Sequence, residues 1–192
     1  MKDRDVTVAP RGVLRGMREV PGDKSVSHRA ALMGALSREG VEVEGFAPGA
    51  DCASTLRCLE ALGARVQRRG DRVRVARGEG PLGAAAVLDA GNSGTTARLL
   101  CGLLAGQPGT FTVIQGDESL SRSPMRRVVD PLRTLGARID GREGGGLLPL
   151  SVRGTSLSGG VCTPGAPSAQ VKSALLLAGL SARGSVTVAE PL

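Results

Sequence analysis

The sequence predicts an α/β (α+β) fold made of repeated β-α-β-α-β-β units with pseudo-threefold symmetry. The first observation is a pattern that occurs three times: a turn rich in Gly, Ser and Thr, an apolar helix, a closing glycine and a β-rich strand. The second is the spacing of the closing glycines Gly40, Gly109 and Gly184, which lie 69 and 75 residues apart. The third is a shared L-x-x-LGAR-[V/I] pattern that ends at Val66 and Ile139. Units of this length exceed a solenoid repeat and contain several elements each.

The first unit begins with the turn GDKSVS at Gly22, which leads into a helix and then into the strand VEVEGF. A second helix is predicted from Asp51 to Leu62. Asp51 is expected to be its N-cap, because a carboxylate accepts hydrogen bonds from the free N–H groups of a first turn, and Gly63 is expected to end it. The strands ARVQRR and DRVRVAR complete the unit.

The second unit repeats this order, and the third repeats only its beginning. The segment GNSGTTARLLCGLLAGQPG starts at Gly91 and is followed by the strand FTVIQG, a helix from Pro124 to Leu135, and the strands ARIDGR and LLPLSVRG. Pro124 suits a first helical turn, where its missing N–H has no partner to lose. The third copy starts at Pro167 and reaches SVTVAE. The predicted units are therefore 21–90, 91–160 and 161–192, the third of them truncated.

Composition narrows the classes of function. The chain is 41% hydrophobic and 22% charged, as soluble globular proteins are. Its only aromatic residues are Phe46 and Phe111. We therefore expect a core of Leu, Val and Ala and little surface on which nucleic-acid bases could stack. No stretch reaches the roughly 18 apolar residues of a membrane span, and the first residues lack a signal sequence. These features predict a cytoplasmic protein without nucleic-acid or membrane partners.

The net charge of +7 is compatible with anionic small molecules, with nucleic acid or with solubility alone. Much of the excess is arginine in RRGDRVRVARG, which we interpret as solvated strand faces. The four cysteines have no metal-ligand spacing, and the chain has one histidine. We therefore expect no metal site, and reduced, mostly buried thiols at Cys52, Cys58, Cys101 and Cys162.

The polar residues that could carry chemistry lie at the start of each unit. They are Lys24, Ser25, Ser27, His28 and Arg29 in the first, Asn92, Ser93, Gly94, Thr95 and Thr96 in the second, and Ser168, Gln170, Lys172 and Ser173 in the third. Capping alone would explain each hydroxyl, but capping needs neither lysines nor arginine. Helix N-termini favour anions, so three helix starts at one end of a domain predict an anion site. His28 has no carboxylate nearby in sequence, and we expect it to be structural.

Four segments resemble one family in order and spacing: PGDKSVSHRA, GNSGTTARLL, GDESLSRSPMRRVVDPL and SAQVKSALLLAGL. The chain resembles the enolpyruvyl transferases, in their branch of 5-enolpyruvylshikimate-3-phosphate synthases (3-phosphoshikimate 1-carboxyvinyltransferases). The resemblance covers the whole chain but only the N-terminal part, less than half, of such an enzyme. The sister branch that acts on UDP-N-acetylglucosamine shares the fold but lacks the D-K-S-x-S-x-R pattern.

The resemblance implies an enolpyruvyl-transferase-like fold with two domains that close over their substrates. Residues 1–20 would form a strand of the other domain, and 21–192 most of one domain. The implied reaction transfers the enolpyruvyl group of phosphoenolpyruvate to the 5-hydroxyl of shikimate 3-phosphate and releases phosphate, without a cofactor. The remaining acid and base groups would lie in the missing C-terminal half, so this chain alone would be inactive. The intact enzyme would be a monomer.

By the resemblance, Lys24 is the catalytic residue and lies between the two substrates. Ser25 and Arg29 would bind the carboxylate end of shikimate 3-phosphate. The residues that would bind its 3-phosphate are Ser168, Ala169 and Gln170. Ala169 replaces a serine found in many relatives, which removes a hydroxyl but keeps the backbone N–H.

The phosphoenolpyruvate pocket would be lined by Lys24, Asn92, Gly94, Thr95, Arg122 and Gln170. The family's arginine normally precedes the proline, where this chain has Ser123. Losing a bidentate guanidinium there is costly, and we expect Arg122 to take its place. The same pocket binds the herbicide glyphosate in the family, and a Cβ at Gly94 would crowd it, so we expect a glyphosate-sensitive intact enzyme.

Overall fold

The computed structural model describes residues 7, 9, 12–13, 15–80, 82–83 and 85–190. Half of the strand predicted for residues 1–20 lies outside the described residues, and residues 15–20 form neither helix nor strand. The assignment of this segment to another domain stays a prediction. Among the described residues, no helix combines the length and the hydropathy needed to cross a membrane.

The described residues form a mixed helix and sheet structure, as predicted. The helices are α1 (Lys24–Leu36), α2 (Ala50–Ala61), α3 (Gly94–Ala105), α4 (Arg126–Thr134), the short α5 (Arg142–Gly145) and α6 (Ala169–Gly179). The strands are β1 (Val41–Val43), β2 (Arg65–Arg69), β3 (Arg72–Ala76), β4 (Ala85–Asp89), β5 (Phe111–Gln115), β6 (Arg138–Gly141), β7 (Leu147–Arg153), β8 (Ser158–Cys162) and β9 (Arg183–Val188).

The strand order repeats from sheet to sheet. The first sheet has the order β1-β3-β2 and the second β4-β5-β7-β6, so β5-β7-β6 matches the first sheet strand for strand. The third sheet pairs β8 with β9 in parallel, as β4 pairs with β5. The sequence reasoning did not identify β4 and β8, and both pair with the unit that follows them. Repetition of the strand order supports the repeated unit, whereas the pseudo-threefold axis and the unit boundaries stay predictions.

The three unit-opening helices begin alike. The Asp23 Oδ1 accepts a hydrogen bond from Val26 N at 2.7 Å, the Ser93 Oγ from Thr96 N at 3.1 Å, and the Ser168 Oγ from Val171 N at 3.4 Å. Each acceptor is an N-cap side chain that satisfies an N–H group without a partner inside its helix. The equivalence of the three helix starts is therefore confirmed at the level of capping.

Two predicted helix starts are wrong. The N-cap of α2 is Gly49, and Asp51 lies inside the first turn, where its side chain contacts Lys24 instead. Pro124 precedes α4, whose N-cap is Met125, because residues 120–122 form a 3-10 turn that delays the helix. The end of α2 is as predicted, since Gly63 has a φ of +89° and follows the C-cap Leu62.

Helix α3 lies at the centre of the core, and every residue from Thr95 to Ala105 is buried. It packs against α6 so closely that a Cβ built on Gly102 would lie 2.0 Å from the Ala174 carbonyl oxygen. The core consists mainly of Leu, Val and Ala, as expected, with Phe46 the buried aromatic residue. All four cysteines are buried and unpaired. Burial raises the pKa of Cys58 to about 11 and that of Cys101 to about 12, so both remain thiols.

The arginine-rich strands of the first sheet face solvent, as predicted. Arg72 forms an ion pair with Glu44 at 2.7 Å, and Arg74 one with Glu42 at 3.9 Å. Exposed pairs of this kind contribute about 0–1 kcal/mol. These arginines therefore account for part of the net charge as solvated side chains.

Candidate anion site at three helix starts

Arg29 joins the starts of α1 and α6. Its Nε donates to the Ser173 Oγ at 2.9 Å and its Nη2 to the Ala169 carbonyl oxygen at 3.3 Å, while its Nη1 donates to the Ser25 carbonyl oxygen at 2.9 Å. Ser25 and Ala169 are exposed. The structure thus brings Ser25, Arg29 and Ala169, three residues predicted for one ligand, into one cluster although more than 140 residues separate the two helix starts.

Lys24 lies beside this cluster and is held by Asp51. Its Nζ donates to the Asp51 Oδ2 at 2.9 Å. This hydrogen bond and the negative charge of Asp51 raise the pKa of Lys24 above its usual value. A lysine is a cation at neutral pH even without this shift, and the mostly exposed side chain of Lys24 can approach an anion from solvent.

The start of α3 contributes Asn92, Gly94 and Thr95. The Asn92 Nδ2 donates to the Asp117 Oδ2 at 2.7 Å. The Thr95 Oγ1 accepts a hydrogen bond from the Gln170 Nε2 at 2.7 Å, which joins α3 to α6. Thr95 and Gln170 are thus in contact, whereas the side chain of Asn92 is directed to Asp117.

Asp117 orders the segment that follows β5. Its Oδ1 accepts a hydrogen bond from Leu120 N at 2.8 Å. This bond and the one from Asn92 lower the pKa of the Asp117 carboxyl, because both stabilise its charged form. The carboxylate therefore fixes the turn that leads to Arg122.

Gly94 is in contact with Arg98. A Cβ built on Gly94 would lie 2.5 Å from the Arg98 Nη1. The Arg98 guanidinium therefore fills the space that a side chain at position 94 would need. Arg98 also donates to the Gln170 Oε1 and to the Pro124 carbonyl oxygen, each at 3.2 Å.

Three of the sequence candidates have their side chains engaged by other partners. Arg122 is exposed and forms an ion pair with Glu118 at 2.7 Å, so its guanidinium is not directed to the helix starts. Lys172 forms an ion pair with Glu190 at 2.9 Å. Ser168 caps α6 and borders a groove of about 530 Å³ that Arg126 and Arg127 also line. The expected role of Arg122 stays a prediction.

His28 is buried in a chain of hydroxyl groups beneath the site. Its Nδ1 lies 2.7 Å from the Thr55 Oγ1, which in turn lies 2.7 Å from the Thr96 Oγ1. The Thr96 hydroxyl donates to the Ser93 Oγ at 2.7 Å. These hydrogen bonds link α1, α2 and α3. Its position agrees with the structural role expected for His28.

The free energy of unfolding is expected to fall as the pH is lowered from about 6.5 to about 4. Burial lowers the pKa of His28 from 6.5 to about 4, with Lys24 and Arg29 adding to this effect and Asp51 opposing it. Between these values the unfolded state binds the proton and the folded state does not. The stability that neutral His28 contributes is therefore present above pH 6.5 and is lost progressively as the pH falls to about 4. It amounts to up to about 3 kcal/mol. Urea unfolding followed by circular dichroism measures this dependence.

The matched control for this prediction is His28→Asn, which keeps a polar group near Thr55 but does not titrate. We expect its stability to change less between pH 6.5 and 4 than that of the unsubstituted chain. Equal pH dependence of the two proteins would show that His28 does not contribute.

Several residues of the cluster escaped the sequence reasoning. Asp51 was assigned only as a cap, and Arg98, Thr55 and Asp117 were not candidates. Arg98 had a detectable signal, because it is the only charged residue in the apolar run GTTARLLCGLLAG. Such an isolated charge in a buried helix is rare and normally has a specific partner. The other three occupy ordinary polar positions.

The described residues contain no group of three or more His, Cys, Asp or Glu side chains arranged to hold a metal ion. The cluster itself offers the cations Lys24 and Arg29 with hydroxyl, amide and backbone groups around them, and the buried Arg98 lies behind Gln170. Cations and directed N–H donors of this kind bind carboxylates and phosphates. The site can therefore bind an anion.

Comparison with known proteins agrees with this chemistry. Residues 8–192 match the family model of EPSP synthase (3-phosphoshikimate 1-carboxyvinyltransferase). Proteins named 3-phosphoshikimate 1-carboxyvinyltransferase are 57% identical over 181 residues in Geobacillus kaustophilus, covering 93% of this chain, and 54% identical over 187 residues in Roseiflexus castenholzii, covering 94%. The chain spans 42% of the length of each.

The fold comparison gives the same result. The structure of EPSP synthase from Acinetobacter baumannii superposes with a TM-score of 0.83 at 40% sequence identity, covering 92% of this chain and 40% of that protein. Because the family model matches nearly the whole chain, the likeness extends well beyond the helix starts. The chain belongs to the EPSP synthase (3-phosphoshikimate 1-carboxyvinyltransferase) family.

Proposed function

We propose that the whole protein transfers the enolpyruvyl group of phosphoenolpyruvate to the 5-hydroxyl of shikimate 3-phosphate and releases phosphate. In this proposal, the described residues form mainly the shikimate 3-phosphate side of the site. The observation that carries it is the cluster of Arg29, Ser25 and Ala169 across α1 and α6 in a chain of this family. Phosphoenolpyruvate and shikimate 3-phosphate both carry a carboxylate and a phosphate, which suits a cationic cluster.

Each group has a distinct task in this reaction. Lys24 neutralises negative charge between the two substrates, and Arg29 and Ser25 bind the carboxylate of shikimate. The backbone N–H groups at the start of α6, with Ser168 and Gln170, bind the 3-phosphate, since a helix N-terminus favours a phosphate. Asn92, Gly94 and Thr95 line the phosphoenolpyruvate side together with Gln170, and Arg122 must leave Glu118 to join them.

The reaction adds the 5-hydroxyl oxygen to C2 of phosphoenolpyruvate while C3 gains a proton, and then loses phosphate and a proton to restore the double bond. We assign the group that removes the hydroxyl proton to the part of the protein outside this chain. The described site residues offer cations and hydrogen-bond donors, and the buried His28 faces the hydroxyl chain rather than solvent. The isolated chain is therefore expected to bind substrate without turnover, and phosphate release by the purified chain would contradict this.

The remaining half of the protein is the partner that we propose for an exposed apolar face. Helix α2 packs between α1 and α3, and α4 packs between α3 and α6. Among the described residues no helix covers α6 and α1 in the same way, and large apolar side chains there are exposed: Val26, Met33, Leu176 and Leu180. The repeat predicts that a second helix of the third unit covers this face.

Isothermal titration of the purified chain with shikimate 3-phosphate at moderate salt tests the proposal. Calorimetry suits a chain that has no Trp or Tyr. We expect saturation at one site and much weaker binding of inorganic phosphate. Heat that is equal for both ligands and falls steeply with salt would instead favour a non-catalytic anion- or nucleic-acid-binding module. Absence of heat from a folded chain would overturn the proposed binding role of this half.

Three further properties of the whole protein stay predictions from the sequence. They are its sensitivity to glyphosate, its monomeric state and its place in the cytoplasm. An inhibition assay of the intact enzyme decides the first, and a requirement for millimolar glyphosate would contradict it.

A further inference from the structure

Arg98 is a buried cation without an acidic partner among the described residues. Its side chain is 5% exposed, its two hydrogen bonds go to neutral acceptors, and its Nε has no partner in the described part of the chain. Burial, together with the positive charge of Arg127, lowers the pKa of Arg98. Burying an unpaired ion is costly. A buried arginine that is present despite this unfavourable free energy is a candidate for a functional role.

The guanidinium meets three helix starts. It lies against Gly94 at the start of α3, donates to Pro124 just before α4, and donates to Gln170 in the first turn of α6. Two of these contacts, Gly94 and Gln170, belong to the candidate anion site. Arg98 itself is too buried to bind a substrate, so any effect on the ligand must act through a neighbour.

Gln170 is that neighbour, because Arg98 decides which end of its amide faces the site. A guanidinium donates hydrogen bonds and accepts none. The Gln170 atom beside it must therefore be the carbonyl oxygen, and the Nε2 must point the other way, where it donates to the Thr95 Oγ1 at 2.7 Å. A flipped amide would place an N–H group against a cation.

We propose that Arg98 is a positioning residue that holds the Gln170 amide with its Nε2 toward the bound anion. The inference rests on the proposed function for the identity of that anion, a phosphate or carboxylate of the substrates. Once the anion is bound, the amide lies between a cation and an anion, and each hydrogen bond polarises the other. The positive charge of Arg98 thus strengthens the Gln170 Nε2 as a hydrogen-bond donor, although Arg98 itself does not contact the anion.

The first test needs no ligand. The side-chain amide resonances of Gln170 are assigned by comparison with Gln170→Met, which is practical because the chain has four glutamines and one asparagine. Arg98→Lys keeps the charge but has no planar fork with which to contact both Gln170 and Pro124. We expect the Gln170 amide resonances to move in this variant. Unchanged resonances would overturn the proposal.

Arg133→Lys is the matched control. Arg133 is a partly buried arginine that donates to the Ile139 carbonyl oxygen at 3.2 Å from Nε and, unlike Arg98, has an acidic partner, Asp130, at 3.8 Å. It is remote from Gln170 in the hydrogen-bond network, so its substitution is expected to leave the Gln170 resonances in place. Equal shifts in both variants would mean a general loosening of the fold and would also overturn the proposal.

The second test is a double-mutant cycle in titrations with shikimate 3-phosphate. We expect Arg98→Lys to weaken binding about tenfold, within the range seen for residues that orient a ligand-binding group, and to add little when Gln170→Met is already present. Additive losses would show that Arg98 acts only on the stability of the fold. If the unsubstituted chain does not bind the ligand, the proposed function fails, and the amide resonances still decide the role of Arg98.

Discussion

Lys24→Met is expected to weaken the binding of shikimate 3-phosphate to this chain by 10- to 100-fold or more. The Lys24 ammonium is a cation at neutral pH, as lysine ordinarily is, and it belongs to the exposed residue next to Ser25 in the cluster formed by Arg29, Ser25 and Ala169. A hydrogen bond to a charged group contributes about 1.5–3 kcal/mol, which corresponds to this range of affinity. Isothermal titration of folded Lys24→Met against the unsubstituted chain measures the change.

Lys172→Met is the matched control, since it removes the same charge from a neighbouring helix. The Lys172 ammonium forms an ion pair with Glu190 at 2.9 Å rather than with a residue of the cluster. We expect its affinity for shikimate 3-phosphate to stay within about twofold of the unsubstituted chain, as rim charges contribute little to affinity. Similar losses in both variants would show that net charge, and not the position of Lys24, determines binding.

Gly102→Ala is expected to destabilise the fold by about 3 kcal/mol or more. The new Cβ would lie 2.0 Å from the carbonyl oxygen, 2.6 Å from the carbonyl carbon and 2.8 Å from the Cα of Ala174. These are backbone atoms of α6, so the clash can be relieved only by separating two helices of the core. Overpacking of this kind typically costs about 1–3 kcal/mol and sometimes more. Urea unfolding followed by circular dichroism at 222 nm gives the free energy of unfolding.

Gly165→Ala controls for the general effect of replacing glycine. A Cβ at Gly165 meets nothing within 4 Å, so the main effect is to restrict the unfolded chain, which is neutral or slightly stabilising. Because α3 and α6 both start at the anion site, Gly102→Ala is also expected to weaken binding of shikimate 3-phosphate. An unfolding midpoint equal to that of the unsubstituted chain would contradict the role assigned to the contact between α3 and α6.

Sequence reasoning predicted the fold class, the positions of α1, α3 and α6 and the residues of their first turns. It succeeded there because helix periodicity and turn composition are local signals. It placed the start of α2 one residue too late and that of α4 two residues too early, because Gly49 and a 3-10 turn define the true boundaries. It missed β4 and β8, whose short strands are recognisable mainly by their pairing with β5 and β9.

The sequence by itself determined which residues stand at the three helix starts, including Lys24, Arg29 and Gln170. Tertiary structure decided what these residues touch: Asp51 for Lys24, Ser173 and Ala169 for Arg29, and Arg98 for Gln170. These partners lie 27 to 144 residues away along the chain. Local sequence patterns cannot predict contacts between residues so far apart in sequence, because these contacts follow from the packing of α3 against the other helices. That packing brings three separate N-caps together at one candidate anion site.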